Sequence, residues 1–113
     1  MAAPAIINDA RAQAIYAALD SAEKNRLAEL ALLLARRAGA SYADIRISRS
    51  LFERLFVRDE NLQSVSSTAD VGFGLRMLIN GAWGFVSSPY VTETEIRRLA
   101  AEAADLARAN ARL

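Results

Sequence analysis

The sequence predicts an α+β two-layer sandwich, a mainly antiparallel β-meander of about five strands flanked by an N-terminal and a C-terminal helix. Three observations carry this reading. Apolar residues recur at helical spacing up to Gly39. Alternation and turn signals fill Tyr42 to Ser88. Helical spacing then returns after Thr92-Glu93-Thr94-Glu95, which has capping-box spacing from Thr92 to Glu95.

Asn8 or Asp9 is placed to cap a short helix through Leu19, with Ile15, Ala18 and Leu19 on one face. Asp20-Ser21 reads as a fresh cap. From Ala22 to Ala38 the residues Leu27, Leu30, Ala31, Leu34 and Ala38 fall on one helical face. Arg36 and Arg37 suit the negative end of that helix dipole, and Gly39 suits a left-handed stop.

The alternation of Ala43, Ile45 and Ile47 with Asp44, Arg46 and Ser48 predicts a half-buried strand with one wet face. Further strands are expected over Phe52–Arg58, Leu62–Thr68, Val71–Ile79 and Ala82–Ser88, with Asp59-Glu60-Asn61 as a polar turn. Asn80-Gly81 suits a type I′ turn, which needs positive φ at both central residues. It sets Ile79 opposite Ala82. In the last helix Ile96, Leu99, Ala100, Ala103, Leu106, Ala107 and Asn110 form a mostly apolar stripe reaching Leu113 without a Gly or Pro stop. That ending suggests a chain cut from something longer. Residues 1–21 form a helical lead of unassigned role, and residues 22–113 the α+β domain.

The hairpin register sorts side chains onto two faces. Phe73, Leu75, Met77 and Ile79, with Val86 and Ala82 opposite, are expected to pack on the helices. Arg76, Leu78, Trp83, Phe85 and Ser87 fall on the other face. There Trp83 pairs with Leu78, and Arg76 stands opposite Phe85, where its guanidinium can lie over the ring. Helices on one side cannot cover both faces. The second face is therefore either an interface or the floor of a further layer supplied by residues 1–19. Gly72, Gly74 and Gly84 either leave the sheet bare for another backbone to approach or mark bulges.

Composition excludes much chemistry. The 113 residues carry 14 Lys+Arg against 13 Asp+Glu, and no His or Cys. There is no disulfide frame, no thiolate nucleophile, no His general base and no His- or Cys-ligated metal site. The near-zero net charge argues against a strong nonspecific hold on nucleic acid. The opening Met1–Ile7 has no basic lead and does not read as a signal peptide. The most apolar run, Leu27–Ala35, is too short to span a membrane, so a cytoplasmic location is the default expectation.

Four local patterns carry little weight, though the third of them is of a kind that touches phosphates. Gly72-Phe73-Gly74 opens like a dinucleotide fingerprint but runs on into a strand, where the phosphate site needs helix amides. Ser21-Ala22-Glu23-Lys24 has Ser-x-x-Lys spacing, but the companion hydrolase motifs are missing and Ser21 suits a helix cap. Arg46, Arg49, Arg54 and Arg58 make the first hairpin basic, diluted by Asp44 and Glu53. Asp59 and Glu60 are adjacent acids without further ligands.

Several stretches resemble one family. They are Gly39-Ala40-Ser41-Tyr42-Ala43-Asp44-Ile45-Arg46, Val57-Arg58-Asp59, Ser64-Val65-Ser66-Ser67, and the run from Val71 through Gly81-Ala82-Trp83-Gly84-Phe85. Together they resemble the N-terminal domain of the TldD/PmbA proteins, also called "modulator of DNA gyrase". The likeness runs from about Glu23 to Arg112, and its most specific part is Gly-x-Gly-x-Arg followed by Gly-x-x-Gly-Phe. One departure is Asp59-Glu60-Asn61, where many members have Asp-Gly.

The resemblance implies a noncatalytic N-terminal domain of a TldD-like zinc metallopeptidase acting on unfolded peptides. Zinc is then expected in a downstream domain carrying a His-Glu-x-x-x-His motif, and none in this chain. The implied partners are that catalytic domain, a sister TldD/PmbA subunit and a peptide substrate. Arg76, Leu78, Trp83 and Phe85 are the candidate interface or peptide-cleft residues. The alternative is an assembly module of a PmbA (TldE)-like subunit that lacks the metal, or of a stand-alone protein. A gyrase- or DNA-associated factor is a third reading.

Overall fold

Asn80 and Gly81, at φ 53° and 79°, close the hairpin that sets the sheet register. The computed structural model describes residues 9–58 and 61–113, with side chains for 9–49 and 70–113. Among these residues the architecture is α+β: three helices and one antiparallel sheet in the order β1-β2-β3. The sheet strands are β1 (Tyr42–Arg58), β2 (Asn61–Ile79) and β3 (Ala82–Ser88). Ile79 pairs with Ala82 as expected, and Leu75 with Val86.

The expectation of about five strands is corrected to three. The segments read as Tyr42–Ser48 and Phe52–Arg58 are one continuous strand, and so are Leu62–Thr68 and Val71–Ile79. Pairing runs unbroken through Ser48↔Gly72 and Ser50↔Asp70, with one register shift at Phe56/Val57. Main-chain bonding sustains a ribbon through polar residues without an apolar face to mark it. The predicted turn at Asp59-Glu60 lies outside the described residues. So do Asn8, Met1–Ile7 and the side chains of Glu53, Arg54, Arg58 and Ser64–Ser67.

Helix α1 (Ala10–Ala17) starts at Asp9, whose carboxylate accepts from the Arg11 and Ala12 amides. Helix α2 (Ser21–Arg37) is capped by Asp20, which accepts from the Glu23 amide at 2.8 Å. Ala38 is its C-cap, and Gly39 takes φ 98°, a conformation that costs a side chain-bearing residue strain. Helix α3 (Glu93–Ala111) begins at Thr92, whose Oγ1 accepts from the Glu95 amide. The reciprocal half of the capping box is not made. Glu95 instead accepts from the Ser88 hydroxyl at 2.6 Å, tying the helix start to the end of β3.

The helices share one sheet face. Leu27, Ala31 and Ala35 of α2 and Ile96, Leu99, Ala100, Ala103 and Ala107 of α3 close over Phe73, Leu75, Met77, Ile79 and Val86. Each large side chain so buried contributes about 1.5–3 kcal/mol of transfer free energy. Leu106, placed on the same stripe from the sequence, sits at its margin and stays 42% exposed. Small residues let α3 lie close to the sheet. A Cβ on Gly84 would stand 2.0 Å from the Ala103 carbonyl oxygen. Gly84 therefore faces the helices of its own chain, which corrects its placement on the bare second face. Pairing is unbroken at Gly72, Gly74 and Gly84, so none of them marks a bulge.

Candidate interface on the open sheet face

Side chains alternate along each strand, so the residues between the core positions point away from the helices. Three rows cross the sheet there. Tyr42, Leu78 and Trp83 form the first, Asp44, Arg76 and Phe85 the second, and Arg46, Gly74 and Ser87 the third. The sequence-derived candidates Arg76, Leu78, Trp83 and Phe85 are thus adjacent. Trp83 is 45% exposed, Phe85 61% and Tyr42 49%. Tyr42 was not among the candidates. Its alternation within β1 marks the face, but only the β1–β2 register puts it beside Leu78 and Trp83.

The residue-level arrangement differs from expectation in one respect. Arg76 lies over the Trp83 ring, 5.0 Å from its centroid, and not over Phe85. Asp44 decides this. Its Oδ2 accepts from Arg76 Nε at 2.8 Å and from the Tyr42 hydroxyl at 2.9 Å. The guanidinium is drawn toward the Tyr42 row, where Trp83 stands. Tyr42 meets Trp83 edge-on, with centroids 5.8 Å apart and planes at 80°. Partial burial pushes the Asp44 carboxyl up, but the Arg76 and Tyr42 bonds outweigh it and hold its pKa below the ordinary 3.8. The bond to Asp44 in turn raises the pKa of Arg76.

Among the described residues no cation lies over Phe85. Its ring leans over Gly74, and a Cβ added there would meet it at ordinary contact distance, 3.5 Å. Beyond it the sheet surface dips into an open hollow of about 860 Å³, bordered by Arg46, Gly72, Ser87 and Pro89.

The helical lead does not supply a layer over this face. Tyr16 and Leu19 pack against the core on the helix side. The Tyr90 hydroxyl donates to Asp9, and Arg11 lies 5.7 Å from the Tyr90 ring centroid. The expectation of a further layer is therefore corrected for residues 9–19, and residues 1–8 lie outside the described set.

The chemistry available is that of recognition: exposed aromatic rings, a fixed guanidinium–carboxylate pair and the exposed cation Arg46, which has no ion pair among the described residues. Among the described residues no three His, Cys, Asp or Glu side chains cluster to hold a metal. Nothing on the face fits a zinc site, and no zinc-dependent step is assigned to it. No helix among the described residues is long and apolar enough to cross a membrane.

Residues 43–107 match the family model described as PmbA/TldA metallopeptidase domain 1. The chain belongs to this TldD/PmbA family. A metalloprotease of Methanocaldococcus jannaschii is 36% identical over 67 residues, covering 59% of this chain and 15% of that protein. A zinc metalloprotease TldD homolog of Saccharolobus solfataricus is 36% identical over 62 residues, covering 55% of this chain and 14% of that protein. A metalloprotease of Methanothermobacter thermautotrophicus is 46% identical over 44 residues, covering 39% and 10%. The chain thus spans a small part of the length of these TldD/PmbA relatives. The family match includes β1 from Ala43 onward, β2, β3 and most of α3, and with them all of Arg76, Leu78, Trp83 and Phe85.

Proposed function

We propose that this TldD/PmbA domain is the noncatalytic N-terminal part of a TldD-like zinc metallopeptidase acting on unfolded peptides. In this reading residues 22–113 form the family-like domain and residues 1–21 a lead attached to it. The open sheet face, through Arg76, Leu78, Trp83 and Phe85, contributes to subunit assembly and borders the peptide cleft. The full protein works in the cytoplasm, pairs with a sister subunit and carries its zinc in a downstream domain.

The observation that carries the proposal is the exposure of Trp83 and Phe85 side by side on a face its own helices leave open. Apolar clusters of this kind are characteristic of surfaces that another chain or domain covers. The zinc metalloprotease name of a relative supports the peptidase branch over a PmbA-like partner subunit.

The test is Trp83→Ala in a full-length protein carrying this domain, read by subunit assembly and by cleavage of an unstructured peptide. Loss of either supports the proposal. Unchanged assembly and unchanged cleavage remove it.

A further inference from the structure

We infer that the free edge of β1 is a self-pairing surface, on which two copies of this chain join β1 to β1, antiparallel and centred on Ile45, into one continuous sheet.

β1 is an outer strand of the sheet. The two-residue turn at Asn80-Gly81 makes Ile79 and Ala82 the hydrogen-bonded closing pair. Along β2, the main-chain groups of Ile79, Met77 and Leu75 therefore point to β3, and those of Leu78, Arg76 and Gly74 to β1. Their partners Tyr42, Asp44 and Arg46 use their own groups inward. Ala43, Ile45 and Ile47 are left with N–H and C=O directed outward. Among the described residues, no hydrogen bond closes these outward groups. The opposite edge is partly closed, because Asn110 Nδ2 donates to the Trp83 carbonyl at 2.8 Å.

Edges of this kind invite another strand, and side chains decide which one. The sequence of β1 complements itself. Antiparallel pairing with Ile45 opposite Ile45 makes Ala43 and Ile47 the neighbouring hydrogen-bonded pairs. It sets Asp44 of each copy directly opposite Arg46 of the other, at the closer, non-hydrogen-bonded spacing. Arg46 has no ion pair among the described residues, and both bonds to Asp44 land on Oδ2, leaving Oδ1 for the second copy. Sliding the register by one step toward either end places Arg46 opposite Arg46, or Asp44 opposite Asp44, and the like charges oppose pairing.

The helix side of the edge is also unfilled. An open groove of about 310 Å³ runs between α2 and β1, lined by Lys24, Asn25, Ala28, Ile45 and Ile47. Ala28, and Leu32 one turn on, are half-buried outside the core cluster. The second copy of β1 brings its own Ile45 and Ile47 into this groove, covering apolar surface that the single chain leaves half wet.

The test is sedimentation velocity of the 113-residue chain over a concentration series, with three variants. The wild type is expected to dimerise. Arg46→Asp, at an exposed position with no hydrogen bond or ion pair among the described residues, weakens dimerisation at least about tenfold by opposing carboxylates across the dyad twice. Ala43→Pro removes an outward N–H that no intrachain bond among the described residues uses and likewise gives monomer. Asp44→Arg is also monomeric, but mixed in equal amounts with Arg46→Asp it restores dimer, because only the mixed pair sets acid against base in both rows. A wild type that stays monomeric overturns the inference. So does a dimer indifferent to Arg46→Asp and Ala43→Pro, which would use another surface.

Discussion

The guanidinium of Arg76 lies over the Trp83 indole, 5.0 Å from its centroid, while its Nε holds Asp44 at 2.8 Å. One side chain thus couples β1, β2 and β3 across a face that the helices do not reach. Trp83 is the chain's lone tryptophan, so its fluorescence reports this contact directly. Arg76→Met is expected to shift Trp83 emission and to change its quenching by a soluble quencher. An unchanged spectrum and quenching constant would contradict the contact.

The two faces of the hairpin should respond unequally to truncation. Leu75 is fully buried and pairs with Val86, whereas Phe85, one residue before Val86, is 61% exposed. Leu75→Ala is expected to cost about 2–5 kcal/mol, and Phe85→Ala about 1 kcal/mol or less. Urea unfolding of the isolated chain checks the contrast. Equal losses would mean that Phe85 is packed and not presented.

Gly84 and Gly74 test how closely α3 lies on the sheet. A Cβ on Gly84 would meet backbone, the Ala103 oxygen at 2.0 Å and the Ala107 nitrogen at 2.9 Å. Helix α3 must then lift away, and Gly84→Ala should destabilise by about 1–3 kcal/mol or more. At Gly74 the new methyl meets only the Phe85 ring at 3.5 Å, and its cost should stay within about 1 kcal/mol. Thermal unfolding of the two variants should rank Gly84→Ala well below Gly74→Ala.

Acid should loosen the helical lead. The Tyr90 hydroxyl bond, then the Ala12 and Arg11 amides, hold the Asp9 carboxyl below its ordinary 3.8. A carboxylate depressed in the folded state adds stability that is complete above its unfolded value and lost as pH falls through the lower folded one. Protection of α1 amides from hydrogen exchange should therefore hold above pH 3.8 and fall as pH drops below it. Asp9→Asn keeps a competent cap but should remove this dependence. An α1 acid limb unchanged in Asp9→Asn would assign it to another group.

Local chemistry made much of this structure readable in advance. Asn80-Gly81 fixed which side chains share a face, and Asp20, Gly39 and Thr92 marked helix ends through their own backbone bonds. What stayed hidden depends on residues distant in sequence. Arg49 to Leu51 reads as a gap between two strands, yet pairing with Ala69 to Val71 carries the strand through. Arg76 had two rings within reach, and Asp44, on another strand, chose between them. Likewise, Glu95 leaves the capping box for Ser88, and Asp9 finds Tyr90 across the fold, contacts that no local pattern announces.

Hydroxyl-radical footprinting of Trp83, read by mass spectrometry in the isolated chain and in a full-length protein containing it, is the most direct measurement. The account predicts ready oxidation of the indole in the isolated domain and strong protection once the remaining domains and sister subunit are present. Equal oxidation in both would show that nothing docks on this face and would contradict its role in assembly and at the peptide cleft.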